Sequence, residues 1–149
     1  MKSNQAWRAD NAHRFRIKET IGVSASPRWN GSVLWLDVSN IDAGGEVQLI
    51  PAQDIGFQIW EYSIVSGTGI TDRKYTIDRR NTKTGVDTSI ASLAVAAAGR
   101  VSRAAMCVIA DTTFGLNDTL VVGAIGGSGA EDVRFFIHTR TNSSPTGNR

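Results

Sequence analysis

From Val33 to Thr141 the chain is cut about every ten to fifteen residues by Gly, Asn, Asp and Ser, and the pieces between the cuts are short and apolar. This rhythm constrains the fold more than any other feature, because pieces of that length suit strands and are too brief for most helices. They run Glu46–Ile50, Phe57–Val65 ending in Ser66-Gly67, Tyr75–Ile77, Leu93–Ala98 closing on Gly99, Leu120–Ile125 and Val133–Thr139. Short strands separated by turn residues predict an all-β protein, an antiparallel β-sandwich of jelly-roll-like type.

The best strand is Val133–Arg140, where Val133, Phe135 and Ile137 share one face and Arg134, His138 and Arg140 the other. Ser32–Val38 is apolar on both faces, as a strand inside a packed interface would be. Phe57–Val65 puts Trp60, Tyr62 and Ile64 on one face by simple alternation. Asp42-Ala-Gly-Gly45 reads as a hairpin connection, its glycines supplying positive φ at little cost, and Ala124–Ala130 as another turn. Leu93–Ala98 is alanine-rich enough to start a helix, but Gly99 and the nearby β-branched residues favour a strand.

The chain has 149 residues, about one domain's worth, enough to bury roughly two-thirds of its unfolded surface. It divides into an extended N-terminal arm over residues 1–28 with one short strand, Phe15–Lys18, then a sandwich over 29–141 and a polar tail over 142–149, expected to be exposed. The arm carries Lys2, Arg8, Arg14, Arg16 and Lys18 against Asp10 and Glu19. With Trp7 and Phe15 as aromatic anchors, it is a candidate for docking on an acidic partner surface or on phosphates, through Trp7, Arg8, Arg14, Phe15, Arg16 and Lys18. The competing interpretation is a solvated terminus. A formal net charge of +2 is too small to imply a nucleic-acid partner. No signal-peptide core and no apolar run long enough for a membrane helix is expected.

No residue set supports catalysis. His13 and His138 are isolated from any Ser or Cys motif, and Cys107, between Met106 and Val108, reads as an inert buried thiol. Asp37, Asn40 and Asp42, like Asp111, Asn117 and Asp118, read as turn residues rather than calcium ligands. Gly126-Gly127-Ser128-Gly129 follows a strand but precedes no helix, so it is no phosphate cradle. No metal or cofactor is expected.

The string from Glu46 to Gly67, the Ala/Gly-rich Leu93–Gly99, and Phe114–Gly127 followed by Val133–Thr139 together resemble a β-module of tailed-bacteriophage virion proteins over residues 45–140. The resemblance implies a jelly-roll-like sandwich, usually homotrimeric, that decorates a phage head or tips a fibre, the last two pieces forming its closing hairpin. It implies no catalytic residues. The expectation is therefore a non-enzymatic virion structural protein, assembled in the host cytoplasm, most simply a capsid decoration protein. Its arm would bind the major capsid protein or another virion protein, and Trp35, Trp60 and Tyr62 would lie in a homotrimer interface. The alternative is a receptor- or glycan-binding fibre-tip module with Trp29 and Trp35 in a sugar groove.

Overall fold

A computed structural model describes residues 6–10, 14–51, 56–95, 101–105, 113–115 and 117–141, and among these the only regular elements are strands. They are β1 (Arg8–Ala9), β2 (Phe15–Glu19), β3 (Ser24–Trp29), β4 (Val33–Ile41), β5 (Glu46–Pro51) and β6 (Phe57–Ser66), then β7 (Lys74–Asn81), β8 (Asp87–Ala94), β9 (Val101–Ala105), β10 (Thr113–Phe114), β11 (Asp118–Ile125) and β12 (Glu131–Thr141). The first sheet runs β1-β2-β5-β11-β7-β8 and the second β10-β6-β12-β4-β3, with β9 also paired to β6. Neighbours in both sheets are antiparallel. The chain changes sheet repeatedly, among other places between β2 and β3, β4 and β5, β5 and β6, β6 and β7, and β11 and β12. The expected all-β antiparallel sandwich is what forms.

Alternation builds the core. On β12, Val133, Phe135, Ile137 and Thr139 are buried while Arg134, Phe136, His138 and Arg140 point outward. Leu34, Leu36 and Val38 of β4 meet Phe15 and Ile17 of β2, Val47 and Leu49 of β5, and Leu120 and Val122 of β11 in one buried cluster. Each such side chain contributes about 1.5–3 kcal/mol when withdrawn from water. At one end, Trp29 packs against Phe15 (5.3 Å between ring centres) and Phe57 (5.4 Å), and Phe57 stacks on Phe114 at 5.0 Å. The Trp29 indole N–H donates to Thr139 Oγ1 at 2.9 Å, so its one polar atom is satisfied inside the cluster.

The opposite end is closed by a fully buried cation. Arg73 donates from Nε to the Gly126 carbonyl (2.8 Å) and from its terminal nitrogens to the carbonyls of Gly129 (2.6 Å) and Ile41 (3.3 Å) and to the Tyr75 hydroxyl (3.2 Å). It also pairs with Asp42 at 3.4 Å. The Tyr75 hydroxyl donates to the buried Glu131 carboxylate at 2.6 Å, which also accepts the N–H groups of Thr68 and Gly69. Burial, and the hydrogen bond to Glu131, raise the Tyr75 phenol above its ordinary range. One guanidinium thus ties the first sheet to two of the turns that cross to and from the second. Gly126 and Gly127 have positive φ, and a Cβ on them would overlap the carbonyl oxygens of Asp72 and Thr71, so neither position accepts a side chain.

Several expectations change. Asp42–Gly45 is a turn, but β4 and β5 lie in different sheets, so it is a crossover and not a hairpin; the same holds for the turn from β11 to β12. The segment assigned to an arm supplies β1 and β2 to the first sheet and β3 to the second, so the boundary at residue 28 falls inside the sandwich. Ordinary cross-strand packing of Phe15 and Ile17 accounts for this. Leu93 and Ala94 end a strand, as expected, and the rest of Leu93–Ala98 beyond Val95 lies outside the described residues, as do His13, Asp111, Cys107 and the tail.

Candidate functional site

The outer face of the second sheet collects aromatic side chains. Its axis is β12, whose outward residues from Asp132 to Arg140 extend over about 27 Å at strand rise. Phe136 is paired with Trp35 of β4 on one side and Ser63 of β6 on the other, and both aromatic side chains are half-buried. Trp60 is 37% exposed. Its ring centre lies 5.1 Å from that of His138, and the Arg140 guanidinium sits 5.5 Å from it. Arg28 lies 5.9 Å from the Trp35 ring centre.

A β-bulge places Trp60. His138 pairs with Glu61, but Thr139 pairs with Ile59, so Trp60 is the extra residue on β6. The bulge breaks the alternation that put Trp60 and Tyr62 on one face. Trp60 turns outward, while Tyr62 is fully buried and donates its hydroxyl to the Tyr75 carbonyl at 2.9 Å. Burial raises the Tyr62 phenol above its ordinary range. Tyr62 is therefore a core residue and has no surface to offer an oligomer interface. Trp35 and Trp60, the other two interface candidates, lie together on the outer face.

Polar groups are interleaved with these rings. Asp37 accepts a 2.5 Å hydrogen bond from Arg134, its cross-strand partner, and lies 3.8 Å from Arg28. His138 Nε2 lies 3.7 Å from Glu61. Beyond Arg134 the face sinks into an open depression of about 450 Å³ floored by β4, β6 and β12 and rimmed by Asp37, Ser39, Val65, Gly67, Asp132 and Phe136. A Cβ on Gly67 would stand 3.0 Å from the Asp132 carbonyl oxygen, so a side chain at this rim position would crowd the β12 backbone. Flat rings flanked by fixed carboxylate, guanidinium and imidazole groups can hold a ligand that presents apolar faces and hydroxyl edges at once.

The docking candidates separate. Arg8 is tied to Glu19 at 2.6 Å and to the Ala25 carbonyl at 2.7 Å, which fastens β1 to the body. Phe15 is fully buried beside Trp29 and Phe57, so it cannot anchor a partner. Arg14 lies 5.7 Å from the Trp29 ring centre. Trp7, Arg16 and Lys18 meet on the outer face of the first sheet, with the Arg16 guanidinium 5.4 Å and Lys18 Nζ 5.0 Å from the indole centre. Trp29 is only 9% exposed and lies inside the sandwich, which removes it from a sugar groove. Asp42, which accepts the Ala43 N–H, acts as a turn residue, and so does Asp118, which accepts the Gly115 N–H; Asn40, with φ of 62°, instead lies within β4 at the irregular pairing with β12. Among the described residues no three His, Cys, Asp or Glu side chains converge as a metal site. Sequence reasoning missed Phe136 and the Arg28–Asp37–Arg134 group, although Phe136 has the same strand parity as Arg134 and His138.

Elsewhere on the first sheet's outer face a cation is neutralised by neighbouring acids. Arg80 is held by Asp87 (2.6 Å) and Glu46 (3.3 Å), and the hydrogen bond it donates to Asp87 raises its already high pKa further. Burial, with Asp87 and Glu46 nearby, raises the Asp78 carboxyl above its ordinary range, and Arg80 opposes this. Val121 on the central strand is 2% exposed between Gln48 and Asp78.

No family model matches the chain, and no curated protein matches it in sequence. Solved structures do share its fold. A glutamate-to-arginine mutant of a carbohydrate binding module of family 29 is similar with a TM-score of 0.53 at 14% identity, covering 91% of each chain. A second family 29 module, a lysine-to-alanine mutant made to probe ligand recognition, gives 0.52 at 13% identity over 95% of this chain and 92% of its own. A further family 29 structure gives 0.51 at 11% identity over 95% and 90%. At these identities the likeness establishes the β-sandwich.

Proposed function

We propose that this chain is a non-catalytic carbohydrate-binding domain whose ligand lies along β12 on the outer face of the second sheet. The observation that carries this reading is the grouping of Trp60, Phe136 and Trp35 on one sheet face, interleaved with Asp37, Arg134, His138 and Glu61. Indole and phenyl rings take the C–H faces of pyranose rings, and the charged groups take hydroxyls as donors and acceptors. The similar sandwiches are carbohydrate-binding modules, which supports the same reading. Arg28, Arg134 and Arg140 on this face are offset by Asp37, Glu61 and Asp132, so it is close to charge-balanced, which favours a neutral polysaccharide over a charged one. The virion assignment rests on the sequence resemblance alone, and the fold likeness bears on the sandwich and not on a particle.

The test is native affinity electrophoresis against soluble neutral polysaccharides, galactomannan, xylan and hydroxyethyl cellulose, followed by titration calorimetry. Retardation by at least one of them, lost in Trp60→Ala and in Trp35→Ala with the fold intact, is the expected result. No retardation by any, combined with light scattering that shows a stable oligomer broken by the same substitutions, would replace the sugar site with a self-association face.

A further inference from the structure

Arg8, Arg28, Arg73, Arg80 and Arg134 each meet a carboxylate. Among the described residues Arg14, Arg16, Lys18 and Arg140 do not, and each lies over an indole; Arg16 and Lys18 are set apart because the two share one, the half-buried Trp7. The three lie on the outer face of the first sheet, on the side of the sandwich opposite the aromatic face of β12. Alternation on β2 sends Phe15 and Ile17 into the core and leaves Arg16 and Lys18 outside, two residues apart and hence about 7 Å apart along the strand. β1 pairs beside them, Arg8 with Ile17 and Ala9 with Arg16, which brings the preceding Trp7 across the pair. Gln48 of β5 stands beside Lys18 in register and adds an amide.

Stacking against an indole uses the face of a guanidinium and leaves its in-plane N–H donors available. Two cations held this way, without an acid of their own, form a preorganised anion site with an aromatic surface attached. We propose that Trp7, Arg16 and Lys18 form a second binding site, for an acidic polysaccharide bearing carboxylates on its sugar rings. A uronic acid combines in one residue a C–H face that suits an indole and a carboxylate that suits Arg16 or Lys18; an Asp or Glu side chain supplies only the carboxylate. Nucleic acid is disfavoured because two such cations beside a net charge of +2 neutralise few phosphates. Taken with the neutral-glycan reading of the other face, on which this consequence alone rests, the chain carries two glycan faces of different charge on opposite sheets. The acidic site stands on Trp7, Arg16 and Lys18 alone, so it survives or fails separately from the neutral-glycan reading of the other face.

The whole chain is run in native gels containing polygalacturonate, with dextran gels as the neutral control and a labelled DNA oligonucleotide as competitor. Retardation by polygalacturonate is expected, weakening as salt rises because exposed charge pairs are screened over about 8–10 Å near physiological ionic strength. Apparent affinity should fall tenfold or more in Arg16→Gln/Lys18→Gln, whose circular dichroism and melting should match the parent, and stay unchanged in Trp60→Ala. No retardation by polygalacturonate, equal retardation of the double variant, or loss in Trp60→Ala would each overturn the second site. Stronger capture of the oligonucleotide than of polygalacturonate would overturn the choice of ligand.

Discussion

The two outer faces of the sandwich are made by the same alternation and end in different surfaces. On the first sheet, Arg80, Glu46 and Asp87 consume one another's charge, and Val121 is sealed between its neighbours. Its β1–β2 margin keeps cations that only an indole covers. On the second sheet, the β6 bulge lifts Trp60 out of the strand pattern, and Phe136 and Trp35 lie side by side in an open face. Exposed charge pairs stabilise a fold by little, typically about 0–1 kcal/mol, whereas exposed aromatic area is withdrawn from water only when something binds. Ion pairing finishes a surface; stranded aromatic rings leave it unfinished until a ligand arrives.

Substitutions separate the two faces, beginning with one that should erase the contrast. Arg73→Met removes the cation shared by Gly126, Gly129, Ile41 and Asp42, and it should destabilise the whole sandwich by about 3–5 kcal/mol, the cost of breaking a buried charged network. Urea titration followed by fluorescence would show it, and a loss below about 1 kcal/mol would mean the two sheets hold together without that clamp. Trp60→Ala should leave the urea midpoint nearly unmoved and lower neutral-glycan affinity by about 30-fold, or about 2 kcal/mol, as loss of an interface anchor does. An equal loss of stability would place Trp60 among the core residues. Asp37→Ala frees Arg134 and Arg28 and should weaken the same ligand by several-fold while changing stability by less than about 1 kcal/mol; calorimetry and melting together would distinguish the two effects.

The smallest effect lies on the first sheet. The Asp78 carboxyl is raised in the folded state, chiefly by burial, so its folded form binds a proton more readily than its unfolded form. That contribution is present below the unfolded pKa and is lost as pH rises through the folded value. Asp78→Asn should therefore raise the melting temperature slightly at neutral pH, with the advantage vanishing once the medium is acidic enough to protonate the parent. A lower melting temperature at neutral pH would mean that Asp78 holds Arg80 in place.

Much of this is legible in residue order, and the misses have definite causes. Strand alternation at Val133–Arg140 is local, so the sequence alone separates Phe135 from Arg134. The Trp60 bulge depends on which residues of β12 lie opposite β6, a pairing set by the fold, and so Trp60 and Tyr62 read as sharing one face when they occupy two. Asp42–Gly45 announces a turn through its glycines but not which sheet receives the next strand. Trp29 and Phe15 sit in a segment sparse in apolar residues, and their packing with Phe57, which stacks on Phe114 far along the chain, is not announced by the local pattern. Tyr62, expected at an interface, and Trp29, expected at a sugar, both belong to the core. Trp35 and Trp60 remain together on the surface where a glycan reading needs them.

The guanidinium at the closed end of the sandwich has a consequence in mass-action terms. A dissociable ion in that position would occupy its oxygen cage only in proportion to its concentration, and the turns around it would loosen whenever it left. Arg73 is joined to the chain by covalent bonds, so its local concentration is fixed by the backbone and does not fall on dilution or dialysis. The carbonyls of the turn entering β12, and with them the start of the strand that carries Phe136 and His138, are thus held by a cation that the chain itself supplies.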